Sequence, residues 1–94
     1  MRRPSITVSE TARGILSHLH PDLKKSIRRA LDELAKNSYA GKPLKQELAG
    51  LWSLPVAHHR IIYQTQKGKI IVVFIGARSD VYERLRELLG NKNP

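Results

Sequence analysis

The side chains available for chemistry in this 94-residue chain are mostly cationic or aromatic. Seventeen Lys and Arg stand against eight Asp and Glu, with four His and no Cys, a formal net charge of +9 at pH 7. Composition excludes thiolate chemistry, disulfides and Cys-ligated zinc. His18 and His20, two apart at the end of a helical stretch, are a poor metal pair, so no metal and no other cofactor is expected. What remains is anion chemistry. An arginine fork holds two phosphate oxygens at once and stays protonated. A tyrosine stacks on a base or handles a proton, and histidine, here the adjacent pair His58 and His59, is the residue type suited to proton transfer. So large a charge excess repels itself in the compact state, and a polyanion relieves it. Nucleic acid is the leading candidate partner, ahead of an acidic protein or an anionic membrane surface.

The elements that must position these groups follow from periodicity. Residues 4–9 alternate polar and apolar and read as a first strand with Ile6 and Val8 inward. Ser9 is a natural N-cap for a helix with Ala12, Ile15, Leu16 and Leu19 on one stripe. His20-Pro21-Asp22 breaks the chain and restarts it, Pro21 fitting the first helical position and Asp22 the positive end of the helix dipole. Leu23, Ile27, Ala30, Leu31 and Leu34 line the second helix, which ends near Asn37 with its lysines and arginines largely off that stripe. A connector with Gly41, Pro43 and Gly50 follows, its Leu44 and Leu48 able to plug a core. Strands are expected at 51–56, 60–66 and 69–77, the last two joined by a tight turn at Lys67-Gly68. The third of these is apolar almost throughout, so it should lie inside the sheet, covered on both faces. A final helix starts at Ser79 as N-cap, with Val81, Leu85, Leu88 and Leu89 as its stripe and Gly90 as its end. The order β-α-α-β-β-β-α predicts one α+β domain over residues 1–94, a curved antiparallel sheet with a helical hairpin packed on one face. The longest apolar run, residues 70–75, is far too short to span a bilayer, and Met1-Arg2-Arg3-Pro4 is not followed by a signal-peptide core. A cytoplasmic protein is expected.

Within this frame, His59-Arg60-Ile61-Ile62-Tyr63 resembles the aromatic-Arg-apolar-apolar-Tyr strand of the RelE/ParE toxin superfamily. Gly76-Ala77-Arg78-Ser79-Asp80-Val81-Tyr82 resembles that family's Gly-x-Arg-x-x-Val-Tyr ending. Gly41-Lys42-Pro43-Leu44 and Leu48-Ala49-Gly50-Leu51-Trp52 resemble the segment leading into its second strand. The likeness spans nearly the whole chain. It implies a type II toxin silenced by a cognate antitoxin that wraps an extended or helical segment over it. The RelE branch cuts mRNA on the ribosome and so inhibits translation; the ParE branch inhibits DNA gyrase; and fold alone does not choose between them.

The resemblance implies roles for individual residues. Metal-independent RNA cleavage needs a group to take the ribose 2′-OH proton, a group to hold the extra negative charge, and a group to protonate the leaving 5′ oxygen. Arg60 corresponds to the family's phosphate-clamping arginine, Arg78 to the arginine ending the last strand, and Tyr82 to the tyrosine that positions or activates the nucleotide. As ordinary residues, Arg60 would be a strand charge pairing with Glu47 or Glu83, Arg78 a loop arginine, and Tyr82 half-buried packing. Lys42 and Lys45 in the connector, with His58 and His59, are candidate RNA contacts. Trp52 reads as core or rim packing. One departure stands out: where family members carry basic residues on the second strand, this chain has Ser53 and Pro55, and Pro55 further implies an edge or a bend. The expected reading is a ribosome-assisted mRNA endoribonuclease. The alternatives are a ParE-like gyrase inhibitor and a catalytically inactive module that binds RNA or antitoxin.

Side-chain alternation adds a geometric condition. With a two-residue turn at Lys67-Gly68, regular pairing sets Arg60 opposite Ile75 and leaves Arg78 with the wrong parity to share its face. A longer turn, a bulge or an early strand end near Gly76 is required for a shared site.

Overall fold

The computed structural model describes residues 4–90. The first three residues, on which the signal-peptide reading bears, lie outside that range. The chain runs through β1 (Ser5–Val8), α1 (Glu10–Ser17), α2 (Pro21–Lys36), β2 (Lys42–Pro43), a single 3-10 turn (Gln46–Leu48), β3 (Trp52–Val56), β4 (His59–Gln66), β5 (Lys69–Ala77) and α3 (Val81–Gly90). Among the described residues no helix is long and apolar enough to cross a membrane.

The local signals act where the residues place them. Ser9 caps α1, its side chain accepting from the Ala12 amide at 3.1 Å. His20 caps α2 through Nδ1, with Pro21 in the first turn, and Asn37 closes the helix. The α3 helix begins two residues after Ser79, and the Asp80 carbonyl accepts the first helical bond from the Arg84 amide. Asp80 rather than Ser79 is therefore the boundary residue.

The sheet order is β1-β5-β4-β3-β2. The architecture is α+β, but the sheet is mixed rather than wholly antiparallel: β1 pairs parallel to β5, Ser5 opposite Lys69 through Val8 opposite Val72. The two helices between β1 and the rest of the sheet form a crossover long enough to permit either direction, so nothing forces the antiparallel choice. A fifth strand, β2, is the second difference. It pairs only Lys42 with Ser53 and Pro43 with Trp52, leaving the Pro55 end of β3 as an uncovered edge where a missing N–H costs no ladder bond.

Each face of the sheet has its own core. On one side the α1–α2 hairpin lays Ala12, Ile27 and Leu34 against Val56, Ile61, Tyr63, Ile70, Val72 and Ile75, all buried. On the other, α3 brings Val81 and Leu85 onto Ile62 and Phe74, and the connector adds Leu48 and Leu51. The hairpin occupies one face, as its stripe requires, while α3 covers the opposite one. Burying these aliphatic side chains stabilises the fold by roughly 1.5–3 kcal/mol each relative to exposure.

Candidate functional site

The β4–β5 hairpin sets the site. Gln66 pairs with Lys69, so the turn has two residues, and the register is regular as far as Tyr63 opposite Val72. It then slips: Ile62 faces Phe74, and Val73 is the extra residue of a bulge. Arg60 consequently stands opposite Gly76 instead of Ile75. The Arg78 amide donates to the His58 carbonyl at 2.7 Å, so the ladder continues one pair beyond β5. Alternation then returns Arg78 to the face of Arg60 and Gly76. Of the three irregularities that parity allowed, a bulge is the one present, and it lies in the middle of the hairpin.

That face is the α3 side. Gly76 lets α3 sit close: a Cβ there would come within 2.9 Å of Val81 Cγ2. The first turn of α3 therefore lies directly on β5 and delivers Tyr82 to Arg60, whose guanidinium carbon is 5.8 Å from the Tyr82 ring centroid. A cation over an aromatic face at this distance is attracted by the ring quadrupole. Arg60 Nε is buried and has no hydrogen-bond partner among the described residues, as is Asp80 Oδ1 just before α3. An oxygen acceptor brought to the guanidinium would meet a donor with unused capacity. Glu47 does not compete for Arg60. It is bound to Arg86 at 2.7 Å, and its own backbone amide together with that guanidinium holds the carboxyl below the usual carboxylate range.

Ser53 is the residue the sequence reading undervalued. It is buried at 1% exposure, the one polar side chain in the described core. It stands opposite Ile62 and so faces α3. The Tyr82 hydroxyl donates to its Oγ at 3.0 Å. The position that looked empty of charge is filled by an anchor for Tyr82, and the phenol proton is committed to it. A small hydroxyl residue 29 positions before a tyrosine has no sequence signature; only the fold joins them.

The remaining candidates divide. Lys42 pairs with Ser53, shares its face and is exposed, so it borders the site. Lys45 is exposed where the 3-10 turn begins. His58 lies across the ladder from Arg78, exposed in the β3–β4 turn. His59, opposite Val56 and Ala77, falls by alternation on the face opposite Arg60 and lines a cleft between Thr11, Ile15 and Leu19 on one side and Arg84, Glu87 and Leu88 of α3 on the other. His18 and His20 serve helix ends, His18 Nδ1 lying 2.9 Å from the Gly14 carbonyl and His20 capping α2. The arrangement that results is an arginine over a tyrosine ring, a second arginine on the same face, a lysine at the border, and a serine fixing the tyrosine.

Comparisons with known proteins bear on the family and the fold. A small α+β fold of this topology is shared by toxins of type II toxin–antitoxin systems. The family model described as the ParE toxin of the type II toxin–antitoxin system parDE matches residues 7–82, and the chain belongs to that family. The chain is similar to a structure of the RelBE2 toxin–antitoxin complex from Mycobacterium tuberculosis, at 25% identity and a TM-score of 0.75, covering 81% of this chain and 99% of that one. The YoeB dimer from Staphylococcus aureus gives 23% identity and a TM-score of 0.68 over 79% and 95%. The intact E. coli RelBE complex gives 13% and 0.65 over 77% and 93%, a likeness of fold. Comparison with curated protein sequences gives no significant match.

Proposed function

We propose that this type II toxin is a metal-independent endoribonuclease that cuts mRNA with the ribosome's help, and that a cognate antitoxin silences it. The observation carrying this reading is the bulge at Val73, which puts Arg78 on the same face as Arg60, where α3 also places Tyr82. In the reaction the ribose 2′ oxygen attacks the adjacent phosphorus and the bond to the 5′ oxygen breaks, leaving a cyclic phosphate and a 5′-hydroxyl. Arg60 and Arg78 hold the non-bridging oxygens as charge builds on them; bidentate, permanently charged donors suit that role. Tyr82, fixed by Ser53, is the surface beneath the clamp. His58, in the β3–β4 turn and bonded through its carbonyl to the Arg78 amide, is the histidine assigned to proton transfer. Lys42 and Lys45 add phosphate contacts. The antitoxin partner follows from the family and from neighbours solved as toxin–antitoxin complexes.

A second reading, gyrase inhibition, is favoured by one specific observation. Ser53 and Pro55 replace strand basics, and the Tyr82 hydroxyl is given to Ser53, so β3 supplies neither a cation nor a proton-transfer group. One experiment separates the readings: tightly controlled expression, with protein synthesis measured and mRNA ends mapped. In-frame cuts that disappear in Arg78→Ala are expected. Intact mRNA accompanied by blocked DNA supercoiling overturns the nuclease in favour of the gyrase reading, and absence of toxicity overturns both.

A further inference from the structure

Away from the clamp, one aromatic side chain is held where it has no structural need to be. Tyr39 is 66% exposed, and its ring lies 5.2 Å from that of half-buried Trp52, tilted by 59°. It is not on a slack loop. The Tyr39 amide donates to Asn37 Oδ1 and the Ala40 amide to the Asn37 carbonyl, both at 3.1 Å. From inside the core, the Tyr63 hydroxyl donates to the Ser38 carbonyl and accepts from the Gly41 amide, both at 3.1 Å. Gly41 makes that approach possible, since a Cβ would fall 2.6 Å from the Ser53 carbonyl oxygen and 2.8 Å from the Tyr63 hydroxyl. A fully buried tyrosine thus secures the turn that carries an exposed one, and the ordering cost of presenting the ring is met before any partner arrives.

Position adds a second argument. Trp52 and Ser53 are neighbours on β3 that point to opposite faces, Ser53 to Tyr82 and Trp52 to Tyr39. Only the two-residue edge strand β2, about 5 Å wide, separates the faces there, and exposed Lys42 sits on it opposite Ser53. A polyanionic strand leaving the arginines can cross this edge past Lys42 and reach Tyr39. An aromatic platform reached through a basic groove is how unpaired bases are bound without sequence preference. With a net charge of +9, a nucleic-acid strand is the occupant that charge favours.

We propose that Tyr39, backed by Trp52, is a stacking subsite for an unpaired nucleobase of the RNA whose phosphate is held by Arg60 and Arg78. It rests on the reading that the chain binds RNA. Trp52 is the only tryptophan, so its emission reports on the site directly. The test titrates the full chain with a short 2′-O-methyl oligoribonucleotide, which cannot be cut, and with an abasic phosphodiester strand of equal length. Trp52 emission and binding anisotropy are read across a salt series. The base-bearing strand is expected to quench Trp52 saturably and the abasic strand not to. Tyr39→Ala and Tyr39→Leu should weaken binding roughly tenfold, within the range set by stacking one base, with an unchanged salt slope, while Tyr39→Phe should bind as wild type. Equal affinity of wild type, Tyr39→Ala and Tyr39→Leu, no change in Trp52 emission at saturation, or a loss confined to antitoxin binding would overturn the proposal. The clamp is judged separately. Arg60→Ala and Arg78→Ala should each reduce the salt slope by about one. If they leave binding unchanged while Tyr39→Ala weakens it, the clamp fails and the platform stands; the reverse result removes the platform and keeps the clamp.

Discussion

The two faces of the sheet are built for different purposes from the same strands. The hairpin face is dry: Ile27, Leu34, Ile61, Ile70 and Val72 close on one another, and the Tyr63 hydroxyl is paired with the 37–41 turn. The α3 face has a smaller apolar cluster and admits polar groups beside it, Tyr82 lying between Ser53, which it bonds, and Arg60, which faces its ring. The contrast teaches that one face keeps the chain folded so that the other can hold partly unsatisfied charge. Mutations should therefore separate stability from toxicity according to the face they strike.

The sharpest break should come from Leu34→Ala. Leu34 is fully buried under α2, and the cavity should cost about 2–5 kcal/mol in urea unfolding. The folded fraction should retain its toxicity per molecule; a specific loss would show that the hairpin shapes the site. Arg60→Ala should do the opposite, lowering toxicity about a hundredfold, the scale of one lost charge-stabilising donor, with the unfolding midpoint nearly unchanged. A large fall in stability instead would place Arg60 in the core's service. Tyr63→Phe tests the one polar tie of the dry face. It should destabilise by about 1–3 kcal/mol because the Ser38 carbonyl and Gly41 amide lose their partner.

The same residue predicts a pH dependence. Burial pushes the Tyr63 phenol above its ordinary value, so the unfolded chain gives up that proton first. The stabilisation is complete below the unfolded value of about 10 and is lost as pH rises through the folded one. The alkaline limb of a stability–pH curve should therefore be shallower in Tyr63→Phe than in wild type. The smallest effect belongs to Glu47→Gln. The Glu47 carboxyl is held low and contributes above the ordinary carboxylate value, fading as pH falls through its folded value. Because the pair with Arg86 is solvent-exposed, only a slight flattening of the acid limb is expected, best seen at low salt.

Much of this was legible in the residues, for a physical reason. The cap at Ser9, the restart at Pro21, the turn at Lys67-Gly68 and the apolar run of β5 are local, and local signals survive without a structure. An irregularity was legible as a necessity, since a shared face for Arg60 and Arg78 contradicted regular pairing; that it is a bulge rather than a longer turn or an early strand end, and that it falls at Val73, was not. The parallel direction of β1, the two-residue β2 and the face of His59 depend on which distant segments pair, and no short window encodes that. The bond from Tyr82 to Ser53 joins residues 29 apart and belongs to the same class. It turned an apparent gap in the site into its anchor.

The bulge also has an evolutionary corollary. Val73 does no chemistry, and a conservative exchange there should pass unnoticed in a survey of point mutants. Removing one residue from this stretch is another matter. Every side chain downstream in the strand would change sides, carrying Arg78 through the sheet toward His59 and leaving Arg60 without its companion. A lineage can exchange Val73 conservatively, but the length of this hairpin is under far stricter control. Loss of toxicity in such a family should be reached more readily by a single-codon deletion near Val73 than by most substitutions around it.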